Sequence, residues 1–185
     1  MVLFILLAFG VAKLKGNRVT VLLREPSLIP MWILEIVFWL LQACIWMEDY
    51  RFIGYAGYLQ MASILCLIWP ILRFRLYPQA IAGAIMVSIG SISNRVVMAV
   101  NGGKMPVIPS FSGFTYYYRE GALEVSQDVR HIMMSDSTKL NFLADYIDVG
   151  FSVISPGDVL IHLFTTIVVY NVILSLNKKE KGSSL

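Results

Sequence analysis

Two aspartates in the last third of the sequence could act together as an acid–base pair. Asp145 lies in "ADYIDV", and Asp158 follows "SPG" at the start of a long apolar segment. Two carboxyl groups that lie close together share a proton, so that one can act as a base towards water and the other as an acid. Asp158 and Asp145 are therefore the first candidates for residues of a functional site. The alternative is that Asp158 only caps its helix, because a carboxylate is stabilised at the positive end of the helix dipole.

Four more polar side chains are expected near these carboxylates. His162 follows Asp158 by four residues and so shares one face of the same helix, whereas His131 lies in the polar segment before it. Asn94 and Arg95 come near the end of the preceding apolar segment, where an arginine can reach an anionic lipid headgroup or an aspartate. We predict that all four bind the ligand, and a packing role is the alternative for His162.

The stretch "NGGKMPV", residues 101–107, directly follows the apolar segment that contains Asn94. Gly102 and Gly103 permit positive φ angles, so the adjacent glycines predict a sharp reversal where the chain leaves a helix. One interpretation is a helix C-cap followed by a turn. The other is a binding loop, in which Asn101 and Met105 would contact the ligand.

Neither a metal nor a cofactor is expected. The spacing of the aspartates and histidines matches no metal-binding pattern, and Cys44 and Cys66 lie within apolar segments without forming a CxxC pair. The glycine-rich phosphate-binding patterns of nucleotide-binding proteins are also missing from the sequence. Nucleic acid is not an expected partner, because membrane topology accounts better for the net charge of +3.

Membrane-spanning helices must position these residues. Hydrophobic residues make up 57% of the 185 residues and charged residues only 15%, against about 25% charged residues in soluble domains. Several segments are long and apolar enough to cross a hydrocarbon core of about 30 Å. We predict an all-α fold, a polytopic membrane helix bundle in a single domain, with about five transmembrane helices. The predicted spans are approximately residues 1–14, 29–46, 53–72, 79–100 and 158–176.

A long loop, residues 101–157, connects the last two predicted spans. Between about Gly121 and Asp145, apolar residues recur at roughly helical spacing, which predicts short helices on the membrane surface. These apolar residues are Leu123, Val129, Ile132, Met133, Leu140 and Leu143.

Lysine and arginine predict the orientation in the membrane, because they concentrate on its cytoplasmic side. If the helices alternate in direction, the basic stretches within residues 13–24, 73–75 and 178–181 all fall on one side. The long loop, with six acidic and four basic residues, falls on the other side. We therefore predict a multi-pass cell-membrane protein with its N-terminus outside, its C-terminus in the cytoplasm and the loop facing outward.

Much of the chain resembles a family of small bacterial membrane proteins of unknown function. The resemblance rests on "NGGKMPV", His131, "TKLNFLADYI" and "SPGDVLI", and the pattern NGG-x-MPV is its most specific part. It implies a small bacterial integral membrane protein and carries no activity with it.

A shorter stretch resembles lipoprotein signal peptidase (signal peptidase II). "ADYIDVGFSVISPGDVLI" is similar to the end of that family, where "VDFIDF" precedes "FNVADSAI" and the final helix. The resemblance implies an aspartic-type, peptidase-like membrane hydrolase with a catalytic role for Asp158, which matches the aspartate of "VADS". The family's second aspartate lies in "GNLIDR", whereas "SNRVVM" here keeps Asn94 and has Val97 in place of the aspartate. Another residue of the loop, Asp145 first and otherwise Asp136 or Asp148, would have to supply the second carboxylate.

Three hypotheses for function remain. The first is an outward-facing polar site between the last two spans that binds or processes a membrane-anchored peptide or a membrane lipid. The second is a non-enzymatic accessory protein that contacts a partner membrane protein. The third is a small transporter, which is disfavoured because five spans without an internal repeat leave little room for alternating access.

Overall fold

A computed structural model describes residues 1–47, 49–108 and 130–182 of the chain. The described part is mainly helical, with a few short strands in the segment before the last helix. The α-helices are α1 Val2–Leu14, α2 Ile29–Trp46, α3 Ala56–Leu65, α4 Ile68–Phe74, α5 Tyr77–Val100 and α6 Pro156–Gly182. The strands are β1 Met105–Val107, β2 His131–Met133, β3 Ile147–Asp148 and β4 Val153–Ile154.

Four helical segments are long and apolar enough to cross a membrane, which confirms the predicted helical fold class. They are Pro26–Trp46, Ala56–Phe74, Tyr77–Val100 and Pro156–Glu180. The first predicted span, residues 1–14, corresponds to α1, which has 13 residues. At 1.5 Å per residue, α1 is about 20 Å long and so shorter than a hydrocarbon core of about 30 Å.

The predicted span 53–72 is divided into α3 and α4, which meet at Cys66 and Leu67. Pro70 lies in the first turn of α4 and has no N–H group to donate to the carbonyl of Cys66, four residues earlier. Next to this break, the Cys66 thiol donates to the carbonyl of Ser63 at 3.1 Å. The proline therefore explains why one apolar segment forms two helices.

The chain divides into two compact units. Unit 1 comprises Met1–Leu40, Tyr55–Met86 and His162–Leu185, and unit 2 comprises Leu41–Gly54 and Val87–Ile161. The helices α2, α5 and α6 each contribute residues to both units.

In unit 1, α1 runs parallel to the second part of α6. The Thr166 hydroxyl donates to the Phe4 carbonyl at 2.8 Å, and further along both helices Lys15 Nζ lies 5.5 Å from the centre of the Tyr170 ring. Three small or branched residues of α1, Ile5, Ala8 and Ala12, are buried. Because both contacts advance in the same direction along the two helices, α1 and this part of α6 end on the same side of unit 1.

In unit 2, β1 lies between two neighbouring segments. On one side it pairs in parallel with β2, with Met105 opposite His131. On the other side, Val107 forms an isolated parallel bridge with Asp145. The pair β3–β4 is antiparallel and forms a second small sheet.

The prediction of short surface helices in the loop is correct only in part. Asn141–Leu143 forms a short 3-10 helix, whereas Ile132 and Met133 belong to β2. The β-branched Ile132 suits a strand, and pairing with β1 satisfies backbone groups that a two-turn helix would leave open. Leu123 and Val129 lie outside the described residues.

The predicted turn at residues 101–103 is confirmed. Gly102 and Gly103 have φ angles of +66° and +85°, and the Gly103 N–H donates to the Met98 carbonyl at 2.8 Å. The glycines therefore end α5 by satisfying a carbonyl of its last turn. The reversal leads into β1, whose three residues are all buried.

Close helix contacts in each unit depend on a glycine of α5. In unit 1, a Cβ at Gly83 would overlap the Phe164 ring. In unit 2, a Cβ at Gly90 would overlap the Gly157 carbonyl oxygen and lie 3.0 Å from Ile161 Cγ1. These two glycines of α5 therefore serve close packing against α6.

We expect Gly90→Ala to destabilise the protein. The added methyl group meets the backbone of α6, which cannot move aside like a side chain, and overpacking of this kind costs about 1–3 kcal/mol. The measurement is the thermal unfolding midpoint of the purified protein in detergent.

Gly10→Ala is the matched control for Gly90→Ala. A Cβ at Gly10 has no neighbour within 4 Å, and alanine favours a helix over glycine by about 0.5–1 kcal/mol. The Gly10→Ala variant should melt at or above the parent's midpoint. Equal midpoints for the two variants would contradict the close contact at Gly90.

Candidate functional site

Backbone pairing with β1 fixes the position of Asp145. The Asp145 N–H donates to the Pro106 carbonyl at 3.0 Å, and its carbonyl accepts from the Ile108 N–H at 2.9 Å. The neighbouring residue Ala144 is fully buried in a cluster with Val97 and Met105. These bonds and contacts hold the Asp145 side chain in a buried position, where it is only 5% exposed.

His131 approaches Asp145 across β1. Side chains alternate along strands, so His131 shares a face with its partner Met105, and Asp145 shares a face with its partner Val107. Met105 and Val107 are two residues apart, so their side chains point to the same face of the sheet. The side chains of His131 and Asp145 therefore lie on that same face, one on each flank of β1. His131 Nε2 lies 3.5 Å from Asp145 Oδ2.

The electrostatic environment raises the pKa of Asp145 above the ordinary value of 3.8. Burial is the main cause, since it removes water from the charged form. The hydrogen bond from His131 opposes the rise, and the charge of Asp158 adds to it. Asp145 Oδ1 is buried and has no hydrogen-bond partner within the described part of the chain. The environment therefore favours the protonated form of this carboxyl group.

Asp158 forms a capping box at the start of α6. The Ser155 hydroxyl accepts from the Asp158 N–H at 3.0 Å, and Asp158 Oδ2 accepts from the Ser155 N–H at 3.2 Å. This reciprocal pair satisfies two backbone donors of the helix end. Pro156 occupies the first helical position, where its missing N–H does no harm. The alternative of a helix-capping role for Asp158 is thus part of the structure.

Asn94 of α5 links the capping box to a second helix. Its Nδ2 donates to Asp158 Oδ1 at 3.0 Å, and its Oδ1 lies 2.9 Å from the Ser155 hydroxyl. The predicted contact between Asn94 and Asp158 is therefore present. Both oxygens of Asp158 accept hydrogen bonds, so its carboxylate has a fixed orientation.

Gly157 makes the bond from Asn94 possible. A Cβ at Gly157 would overlap Asn94 Oδ1 and lie 2.7 Å from the Gly90 carbonyl oxygen. Only glycine therefore allows the two helices to approach closely enough for the Asn94 amide to reach the end of α6. Each residue of "SPGD" therefore has its own structural role at this helix end: Ser155 and Asp158 form the capping box, Pro156 starts the helix and Gly157 allows the close approach of α5.

The other predicted binding residues lie in different environments. His162 belongs to unit 1, where its ring lies 5.3 Å from that of Phe4 and tilted by 33°. Arg95 is exposed on α5, one residue after Asn94. The packing alternative for His162 thus agrees with the structure, and the ligand-binding roles of both residues stay predictions.

Asn101 and Met105 have structural contacts in the loop. Asn101 Nδ2 donates to the carbonyls of Val97 and Lys139, and Asn101 Oδ1 accepts from the Lys139 N–H, each at 2.8 Å. Met105 is buried against Val97 and Ala144. Asn101 therefore ties the end of α5 to the segment that leads to Asp145.

Ser155 and Pro106 hold the site, although neither was predicted to take part in it. Ser155 is fully buried and bonds Asp158 and Asn94. Its signal in the sequence is the spacing S-x-x-D before an apolar run, which is the pattern of a capping box. Pro106 contributes only its carbonyl to Asp145, and no local pattern predicts that pairing.

The arrangement is suited to acid–base chemistry rather than to metal binding. Among residues 1–47, 49–108 and 130–182, no group of three or more His, Cys, Asp or Glu side chains could hold a metal ion. A buried carboxyl group with an adjacent histidine can instead donate or accept a proton. Asp158 supplies a second carboxylate whose charge acts on Asp145.

We expect Asp145→Asn to change how stability depends on pH. Because the pKa of Asp145 is raised in the folded state, its contribution to stability is complete below about 3.8 and is lost as the pH rises through the folded-state pKa. Asparagine cannot ionise. The free energy of unfolding of the parent, relative to that of the variant, should therefore fall as the pH rises from about 3.8 through the folded-state pKa of Asp145. At higher pH the difference should be constant. The measurement is the unfolding midpoint of both proteins from about pH 4 to pH 8.

Asp148→Asn is the control for the effect of replacing an aspartate by asparagine at an exposed position. Asp148 is exposed in β3, and its Oδ1 accepts from the Gly150 N–H at 2.8 Å, which an asparagine oxygen can also do. A difference between the parent and Asp145→Asn that does not change with pH would contradict a raised pKa at Asp145.

Comparison with known families places the chain in a family. The model of a family of unknown function, DUF5317, matches residues 21–170. No curated protein and no solved structure matches the chain. The matched range includes β1, the Asp145–His131 pair and the capping box at Asp158.

Proposed function

The chain belongs to DUF5317, a family of unknown function, and we propose a function for it from its own geometry. In this proposal it is an integral membrane protein that binds and processes a membrane-anchored peptide or lipid at Asp145. His131 and Asp158 assist Asp145, and the site faces the outside of the cell. No metal or cofactor takes part.

The observation that carries the proposal is the buried carboxyl group of Asp145. Burial of an ionisable group costs free energy, and structural positions of this kind usually pair every oxygen. Here Oδ2 lies 3.5 Å from His131, whereas Oδ1 is buried and accepts no hydrogen bond from any described residue. A carboxyl group with one available oxygen and a raised pKa is suited to deliver a proton to a bound group.

The position of Val97 supports an aspartic-type mechanism. Val97 occupies the place where the signal-peptidase-like pattern would have its second aspartate, and it packs against Ala144. The loop therefore brings the residue before Asp145 to that position on α5. In the mechanism, Asp145 is the proton donor and acceptor. Burial raises its pKa, the charge of Asp158 adds to the rise, and both favour the protonated form before substrate binds. The hydrogen bonds from Asn94 and Ser155 hold Asp158 in place.

The test of processing compares three forms of the protein in cells that lack their own copy. Cells carrying the parent, Asp145→Asn or Asp148→Asn are extracted, and their membrane-anchored peptides and lipids are compared by mass spectrometry. We expect Asp145→Asn to accumulate the same uncleaved species as cells without the protein, because asparagine cannot transfer the proton. Asp148→Asn should match the parent.

The accessory role is the second candidate, and the capping box favours it. The hydrogen bonds of Asp158 to Ser155 and Asn94 also have a purely structural explanation, because they join the start of α6 to α5. If Asp145→Asn cells show the parent's peptide and lipid profile while the purified variant is folded, processing at Asp145 is wrong. The accessory role would then be preferred.

The outward orientation is the part of the proposal that rests on charge. The parallel course of α1 and α6 puts the basic ends of both helices on one side, which the distribution of lysine and arginine assigns to the cytoplasm. A single cysteine at Ser137, exposed in the loop, should react with a membrane-impermeant thiol reagent in intact cells. A single cysteine at Lys178, exposed near the end of α6, should react only after the cells are opened.

The labelling experiment requires a background in which Cys44 and Cys66 are replaced by alanine, because both thiols are free. The reverse pattern of labelling would show that the loop faces the cytoplasm. It would exclude an external substrate and leave the acid–base chemistry of Asp145 unaffected.

A further inference from the structure

Unit 1 carries a concentration of exposed positive charge, called the basic end below. It includes the C-terminal end of α1 with the connector after it, the end of α4 and the end of α6. Its exposed cationic residues are Lys13, Lys15, Arg18, Arg24, Arg73, Arg75, Lys178 and Lys179. Among the described side chains of these segments, the carboxylates are only those of Glu25 and Glu180.

A buried asparagine joins two parts of the basic end. Asn177 is 6% exposed, and its Oδ1 accepts from the Arg18 N–H at 2.9 Å. Its Nδ2 donates to the Arg18 carbonyl at 2.9 Å and to the Ile173 carbonyl at 2.9 Å. Arg18 is thereby fixed beside Lys178, the next residue of α6. The bonds to Asn177 therefore keep the backbone of Arg18 at the end of α6 that carries Lys178.

A buried glutamate orients a further cation of the basic end. Glu25 Oε1 lies 2.6 Å from Arg73 Nε and also accepts from the Ser27 N–H at 3.1 Å. The Arg73 side chain is nevertheless 51% exposed. Glu25 contacts the guanidinium group at Nε, and the group has further N–H donors. Because the side chain is half exposed, these donors can bind the oxygens of a phosphate group.

Exposed leucines between the cations indicate which phosphate-bearing partner fits. Leu14 is 89% exposed between Lys13 and Lys15, and Leu23 is 78% exposed beside Arg24. Nucleic acids and acidic soluble proteins offer no apolar layer next to their charges. A lipid leaflet offers both, because the acyl chains begin directly below the phosphates.

We propose that the basic end binds the headgroups of anionic phospholipids, with Arg18, Arg73 and Lys178 contacting phosphate and Leu14 and Leu23 entering the acyl-chain layer. Arg73 and Lys178 lie near the ends of helical segments that are long enough to cross a membrane, and the backbone of Arg18 is bonded to Asn177 beside Lys178. These three cations therefore lie at headgroup level when the segments span the membrane. Anionic lipid would hold the connector after α1 against the membrane surface. The inference does not depend on the chemistry proposed for Asp145.

The test measures how strongly the purified full chain, in neutral detergent, retains phosphatidylglycerol and phosphatidylcholine, using native mass spectrometry. We expect preferential retention of phosphatidylglycerol, which should weaken as the salt concentration is raised. The double variant Arg18→Gln/Lys178→Gln should reduce the apparent affinity for phosphatidylglycerol on the order of tenfold. Retention of phosphatidylcholine should not change.

Lys104→Gln/Lys139→Gln is the matched control, since it removes two exposed cations from unit 2 and should retain phosphatidylglycerol as the parent does. Equal losses in the two double variants would show attraction to net charge alone and would overturn a lipid site at the basic end. Equal retention of the two lipids by the parent would overturn it as well. Thermal unfolding of each variant without added lipid verifies that the fold is unchanged.

Discussion

The close approach of Gly90 and Gly157 determines the geometry of unit 2. A side chain at either position would separate α5 from α6, and the Asn94 amide would no longer reach Asp158 and Ser155. The hydrogen bonds at the start of α6 therefore depend on the absence of two Cβ atoms. In lipid, where apolar contacts between helices provide little driving force, small residues of this kind and buried hydrogen bonds are the usual sources of helix association.

The position of the polar site depends on this contact and on the bonds that hold the loop. The contact fixes the ends of α5 and α6, because Asn94 closes the capping box. The bonds fix the loop between them: Asn101 binds Lys139, and β1 holds the backbone of Asp145. A buried carboxyl group would destabilise a loosely held loop, since the loop could open to hydrate it. Backbone bonds on both sides of Asp145 resist such opening.

The predictable parts of the fold are those that depend on local chemistry. Apolar length predicted the four long helices, and adjacent glycines predicted the turn at Gly102 and Gly103. The strand β2 was not predictable, because Ile132 and Met133 become a strand only through pairing with β1, more than twenty residues earlier in the sequence. The contact of His131 with Asp145 has the same origin, and the sequence alone supplied only the residue types. The capping box was present in the spacing of Ser155 and Asp158, although only the aspartate was given a role.

A structural role for Asp158 is compatible with a part in catalysis at Asp145. Its hydrogen bonds to Ser155 and Asn94 keep the carboxylate in one orientation, and a fixed charge raises the pKa of a neighbouring carboxyl group more reliably than a mobile one. The cap thus fixes the charge that adds to the effect of burial on the pKa of Asp145. Asparagine at position 158 would preserve much of the cap, because it caps a helix about as well as aspartate, and would remove the charge. Replacement of Asp158 by asparagine would therefore separate its capping role from its electrostatic role. Both roles depend on the same contact between α5 and α6.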